Sequence, residues 1–126
     1  MIAVDTNVVS ALLRGQVDDL PSDELYIPYA VLAELQAGVA AGNNPAKNRG
    51  ILEAFLKDTN VTISPGLPPE VIPFYIQIYS YLRSHGTPVS PNDLWIAAEC
   101  MHLSMPLLTF DKDFQNVPQV VLVTTN

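Results

Sequence analysis

Four carboxylates could form one site in this protein: Asp5, Glu34, Asp93 and Asp111. Two of them stand in apolar surroundings, where an ionised group is unexpected. Asp5 separates two apolar runs, and Glu34 interrupts the apolar residues of a predicted helix. An ionised carboxylate in such surroundings is costly unless it is paired or bound to a cation. Carboxylates in mutual contact also raise one another's pKa. A stable cluster of these acids therefore implies bound divalent cations or shared protons.

Each acid also has an ordinary structural explanation. Asp5 could cap a helix, and Asp93 opens one, where its charge would meet the positive end of the helix dipole. Glu34 could lie at the solvated edge of its helix, and Asp111 and Asp113 could be turn residues on an exposed loop. Their positions along the chain favour a shared site, because three of the four fall at one predicted edge of a sheet and Glu34 lies early in the helix that follows the second strand.

The donor atoms of this set are hard oxygens, which suit Mg²⁺, with Mn²⁺ as the alternative. A zinc site is not expected, because His85, His102 and Cys100 lack the spacing of zinc ligands. We interpret the histidines as structural or exposed and Cys100 as a small buried apolar group. A single cysteine cannot form an internal disulfide, which agrees with a reducing compartment.

Strands and helices alternate in the predicted order of elements. Apolar runs at 2–4, 25–28, 61–63, 106–110 and 120–123 predict strands, and the segments 8–14, 29–39, 46–57, 73–85 and 93–104 predict helices. This alternation predicts a mostly parallel sheet that is covered by helices on both faces. Ligands of such sheets bind beyond the carboxyl ends of the strands, and Asp5 and Asp111 each directly follow a predicted strand.

Size and charge set further limits. The 126 residues and 13.8 kDa match a single domain spanning 1–126. No apolar stretch reaches the about 18 residues of a membrane span, and no signal peptide is evident, so we expect a cytoplasmic protein without a membrane segment. The net charge of −7 argues against a broad basic face for phosphate, although bound metal would offset part of this charge.

Four segments carry a family resemblance through their order and spacing: 4–7 (VDTN), 33–38 (AELQAG), 91–98 (PNDLWIAA) and 106–114 (PLLTFDKDF). Together they resemble the PIN-domain ribonucleases, and in particular the VapC-like toxins of prokaryotic type II toxin–antitoxin systems. The resemblance covers nearly the whole chain. It implies a PIN-like three-layer sandwich, with a mostly parallel central sheet of four to five strands flanked by helices.

The resemblance also implies roles for individual residues. The acids that look like the family's catalytic set are Asp5, Glu34, Asp93 and Asp111, with Asp113 as an auxiliary acid. Among these, the expected metal ligands are Asp5, Asp93 and Asp111. Thr6 and Thr109 match the hydroxyl residues beside the acids, and Asn92 matches the polar residue before the third acid.

The activity implied is Mg²⁺-dependent cleavage of RNA phosphodiester bonds by the toxin of a toxin–antitoxin pair. Glu34 could orient or deprotonate the attacking water. For RNA contacts the first candidates are Lys47, Arg49 and Lys57, which could equally form a solvated helix face. The implied partners are a cognate antitoxin and a second copy of the chain. The aromatic-rich segment 73–85 could serve either partner, although core packing explains part of it.

Two other functions remain open from the residues. A strand ending in Asp also begins haloacid-dehalogenase-type phosphatases, in which that acid is a nucleophile. Those enzymes need a second Asp two residues later, where this chain has Asn7. The other alternative is a PIN-like module that binds RNA or protein without catalysis, against which the complete set of acids argues.

Overall fold

The predicted alternation of strands and helices is present in the computed structural model, which describes residues 1–123. The elements are β1 (Ile2–Val4), α1 (Thr6–Leu13), β2 (Leu25–Ile27), α2 (Tyr29–Ala41), α3 (Pro45–Leu56), β3 (Val61–Ile63), α4 (Ile72–His85), α5 (Pro91–His102), β4 (Leu107–Leu108) and β5 (Leu122–Val123). Two short 3₁₀ helices lie at Pro69–Val71 and Lys112–Asn116.

The strands form one five-stranded sheet in the order β3-β2-β1-β4-β5. Every neighbouring pair is parallel, which confirms the predicted α/β class with a parallel central sheet of four to five strands. The chain builds outward from β1 to β3 on one side and from β4 to β5 on the other. The order therefore reverses between β1 and β4, and such a switch point is where open parallel sheets bind ligands.

The central strands are buried, as a sheet covered on both faces requires. In β1, Ala3 and Val4 are fully buried, and in β4 Leu107 and Leu108 are at most 1% exposed. Cys100 is buried in α5 beside this core, as predicted. The strand ends at the switch point are thus fixed by tight packing.

Several element boundaries differ from the prediction. The first helix begins at Thr6 rather than at residue 8, because the Asp5 carboxylate accepts a hydrogen bond from the Thr6 N–H and caps it. The fifth helix begins at Pro91 rather than at residue 93, because Ser90 caps it and proline suits the first helical position. The last two strands are only two residues each, so the strand predicted over 120–123 is shortened to Leu122–Val123, with Val121 before it 69% exposed.

The longest helix, α4, has 14 residues and a divided surface. Ile78 and Leu82 face the core, whereas Ile76 and Tyr79 are 56% and 45% exposed. Across residues 1–123, no helix combines the length and apolar character that crossing a membrane requires. Packing into the core therefore does not account for the exposed apolar side of α4.

Candidate active site

Asp5 is the buried centre of the site, with only 4% of its surface exposed. One carboxylate oxygen, Oδ1, accepts a hydrogen bond of 2.7 Å from the Thr6 N–H. The other, Oδ2, accepts one of 2.7 Å from the Thr109 hydroxyl. Because Asp5 follows β1 and Thr109 follows β4, these bonds join the two strand ends at the switch point. Capping of α1 and membership of the site are therefore compatible roles for Asp5.

The same Thr109 hydroxyl organises the next pair of acids. Its Oγ1 accepts a hydrogen bond of 3.0 Å from the Asp111 N–H, and Asp111 Oδ1 accepts one of 2.9 Å from the Asp113 N–H. Asp93, Asp111 and Asp113 each present a carboxylate oxygen, and these three atoms lie within 4.8 Å of one another. The structure thus brings the carboxylates of both Asp111 and Asp113, the expected auxiliary acid, beside Asp93.

Asp93 lies in the first turn of α5, where its backbone N–H donates to Ser90 Oγ at 3.2 Å. Ser90 therefore serves as the cap, and the Asp93 carboxylate is left to face the other acids. Burial raises the pKa of Asp93 to about 6, and repulsion from Asp5, Asp111 and Glu34 adds to this rise. Asn92, the polar residue before it, is exposed on the same turn.

Glu34 approaches from α2 and is half-buried next to the core residue Leu35. Burial is the main cause that raises its pKa, and repulsion from Asp5 contributes, while the Thr6 hydroxyl beside it acts in the opposite direction. Glu34 Oε1 and Thr6 Oγ1 are both buried without a hydrogen-bond partner. Buried polar atoms left unpaired are costly and are available to a bound ligand.

The electrostatics of the cluster fit a cation. Burial, the largest cause, also raises the pKa of Asp5, against the hydrogen bonds from Thr109 and Thr6 that lower it. For Asp5, Glu34 and Asp93, every charged group that contributes to the shift is another acid. A divalent ion would relieve this repulsion, and the all-oxygen donor set suits Mg²⁺ or Mn²⁺.

Glu99 is a buried carboxylate that sequence reasoning missed, only 2% exposed on α5. Its Oε2 accepts a hydrogen bond of 2.5 Å from the Tyr26 hydroxyl, and its Oε1 accepts one of 2.8 Å from the Tyr29 N–H. Tyr29 is the first residue of α2, so Glu99 ties the helix that carries Asp93 to the helix that carries Glu34. A signal existed in the sequence, because Glu99 interrupts the apolar run 96–101.

The three basic residues predicted as candidates for RNA contacts are all exposed. Lys47, Arg49 and Lys57 are exposed on α3 and at its end, and residues two apart, such as the first pair, do not share a helix face. None of the three lines the cavity beside Glu34, whereas Arg14 does. The signal for Arg14 was its spacing of four and eight residues from Ser10 and Thr6, which places all three on one side of α1.

Asn7 has a structural partner at the switch point. Its Oδ1 accepts a hydrogen bond of 3.2 Å from the Phe110 N–H, which fastens the start of α1 to the segment after β4. At this position haloacid-dehalogenase-type phosphatases need a carboxylate. The phosphatase alternative is therefore not favoured.

The parallel sheet and the acids at its switch point fit the PIN-domain class that the sequence predicted. Comparison with known proteins agrees. The family model described as PIN domain matches residues 2–120. The chain belongs to the PIN-domain family.

The similarity to individual relatives extends over most of the chain. It is 32% identical over 126 residues to Toxin FitB of Neisseria gonorrhoeae, with 88% of each protein covered. It is 27% identical over 123 residues to Ribonuclease VapC1 of Haemophilus influenzae, with 90% of each covered. Among solved structures, VapBC-1 from nontypeable Haemophilus influenzae has a chain that matches with a TM-score of 0.82 and 25% identity, covering 98% of this chain and 97% of that chain.

Proposed function

We propose that this chain is a Mg²⁺-dependent endoribonuclease that cleaves RNA phosphodiester bonds and acts as the toxin of a toxin–antitoxin pair. The observation that carries the proposal is the convergence of Asp93, Asp111 and Asp113 on one point at the switch point of the sheet, beside buried Asp5. The names of two relatives, a ribonuclease and a toxin, support the activity and the role.

The residues that would hold the ion are Asp93, Asp111 and Asp5, with Asp113 as an additional donor. Both Asp5 oxygens already accept a hydrogen bond, but a carboxylate oxygen has a second lone pair for a ligand. When bound, the ion would supply positive charge to the scissile phosphate and to the water that attacks it. The unpartnered oxygens of Glu34 and Thr6 are consistent with a site completed by a ligand.

The protein's own groups have separable tasks in this proposal. Thr109 holds Asp5 and the backbone of Asp111 in a fixed relation, so that the donor atoms are arranged before substrate binds. Glu34, whose pKa is raised, accepts a proton from the attacking water or orients it. Asp5 itself is shielded from water, so its electrostatic interaction with a bound ion would be stronger than that of an exposed carboxylate.

Asp5→Asn and Asp93→Asn test the activity. Each substitution removes one negative charge with little change of shape, so we expect Mg²⁺-dependent cleavage of single-stranded RNA to fall on the order of 100-fold or more. A matched control is Asp18→Asn, at an exposed residue of the loop after α1. Equal cleavage rates in the wild type and both site variants would refute the proposed activity.

The same proposal includes two partners, an antitoxin and a second copy of this chain. Its support is the toxin relative, the VapBC-1 structure and the exposed apolar side of α4. Of the aromatic residues in segment 73–85, Tyr75 packs on Trp95 with ring centroids 4.2 Å apart, and Tyr81 stacks on His85 at 4.0 Å. Tyr79 stacks on Tyr75 at 6.4 Å, but it remains 45% exposed and is the best candidate for an interface contact.

A further inference from the structure

A cavity of about 290 Å³ opens beside the acids, between α1, α2 and α3. Its polar lining consists of Thr6, Ser10, Arg14, Glu34 and Asn48. Aliphatic side chains from all three helices form the remaining walls, among them Ile51, which is 40% exposed. Apolar walls combined with a few polar groups are typical of small-molecule sites.

The cavity is continuous with the proposed catalytic site through two shared residues. Thr6 follows Asp5 directly, and Glu34 is one of the acids whose pKa Asp5 raises. Each of the two carries a buried oxygen without a hydrogen-bond partner. A ligand in the cavity would therefore lie next to the acids and could supply donors for these oxygens.

Size and chemistry together favour one nucleotide as the occupant. The volume is at the low end for ligand pockets, which is suitable for one base with part of its sugar and too small for a duplex. The faces of a base pack on aliphatic walls, while its edge needs hydrogen-bond partners such as Ser10 and Asn48. Arg14 is the one basic residue among the lining residues and would contact a phosphate oxygen or a base edge.

We propose that this cavity holds the base of a nucleotide adjacent to the scissile phosphate of single-stranded RNA. We call it the nucleotide pocket. The inference deepens the proposed function and rests on it for the identity of the substrate. Binding of one unstacked base would help place the phosphate against the acids, as recognition of single-stranded RNA by splayed bases requires. It would also give this acidic protein a way to hold RNA without a basic surface.

Gly38 offers a way to fill the nucleotide pocket without touching an acid. It lines the pocket from α2, and a Cβ added there meets no atom within 4 Å. Gly50 on α3 has equally open space, and it does not line the pocket. Gly38→Leu is therefore the test variant and Gly50→Leu the matched control. Asn48→Phe, at an exposed residue of the third wall, is a second filling variant that keeps the test decisive if Gly38→Leu does not fold.

The first measurement is binding of the four ribonucleoside 5′-monophosphates by isothermal titration calorimetry. We expect at least one to bind the wild type and Gly50→Leu equally, and to bind the filling variants at least 10-fold more weakly. The inference is overturned if none binds the wild type, or if the filling variants bind as well as the control. It is also overturned if they bind nucleotide normally but lose affinity for a protein partner, which would assign the cavity to that partner.

The second measurement separates the pocket from the proposed activity. Cleavage of single-stranded RNA is compared with hydrolysis of bis(4-nitrophenyl) phosphate, which has no base. In the filling variants, the fold loss for RNA should exceed the fold loss for the phosphodiester at least 10-fold, and equal losses would contradict the pocket. If the wild type cleaves neither substrate, the proposed activity fails, while nucleotide binding still decides whether the pocket exists.

Discussion

At the scale of one residue, the ionised carboxyl of Asp93 lowers the stability of the metal-free protein. Its carboxyl has a pKa of about 6, because it is partly buried among other acids. In the unfolded chain the same group has its ordinary pKa of 3.8. Between these values the folded protein holds a proton that the unfolded chain has lost, so stability falls as pH rises through this window. Above about pH 6 the metal-free protein carries the full penalty of this charge.

Asp93→Asn should therefore stabilise the metal-free protein at neutral pH, by about 1 kcal/mol after allowance for solvent screening at this partly exposed residue. The advantage over the wild type should shrink as pH falls from 6 towards 4, because the wild type then becomes neutral at the same site. Thermal unfolding of both proteins in EDTA across this range would measure it. A variant less stable than the wild type at neutral pH would contradict the origin assigned to the raised pKa.

At the scale of elements, the site depends on how α2 and α5 are joined. The Glu99 carboxylate accepts hydrogen bonds from Tyr26 of β2 and from the first N–H of α2, and burial together with Glu99 raises the pKa of Tyr26. The second of these bonds also satisfies a helix N–H that Pro28, the N-cap residue, does not. Through it, the backbone that carries Glu34 is fixed relative to the helix that carries Asp93.

Glu99→Ala should lower the free energy of unfolding by about 2 kcal/mol, because it leaves the buried Tyr26 hydroxyl and the partly buried Tyr29 N–H without their acceptor. RNA cleavage should fall as well, although Glu99 does not belong to the acid cluster. Urea denaturation gives the stability, with Glu70→Ala at an exposed position as control. Equal midpoints for the two variants would show that the Glu99 contacts contribute little.

The order and type of the elements follow from periodicity, so the strands and helices were predictable. The ends of these elements were less predictable. They depend on side-chain caps such as Asp5 and Ser90, and which N–H a cap binds depends on the local backbone geometry. The four acids could be grouped because strand ends meet at one edge of a parallel sheet. Glu99 could not be assigned, because its partners are 73 and 70 residues away and only the packed fold brings them together.

At the scale of the whole molecule, an acidic chain with a net charge of −7 has an exposed apolar side on α4. Ile72, Ile76 and Tyr79 are 46%, 56% and 45% exposed on this side. Exposed apolar residues grouped in this way mark interaction surfaces. The proposed toxin role requires such a surface for a second copy or for an antitoxin. A small upstream reading frame that encodes a DNA-binding N-terminus would identify the antitoxin.

Tyr79→Asp tests the α4 surface as a dimer contact. A charge placed in an apolar interface lacks a partner, so we expect the mass measured by light scattering to shift from dimer towards monomer. The fold should be retained because this side chain is exposed. Gln77→Asp, also exposed on α4, introduces the same charge as a control. An unchanged mass for Tyr79→Asp would remove this residue from the proposed dimer interface.

The central claim, that the acids hold a divalent ion, is tested most directly by anomalous diffraction from crystals grown with Mn²⁺. The proposal predicts an anomalous peak about 2.2 Å from oxygens of Asp93 and Asp111, with Asp5 or Asp113 completing the protein ligands. Crystals of Asp93→Asn grown in the same way should lose most of this peak. A Mn²⁺-saturated wild-type crystal with no peak at these acids would contradict the account.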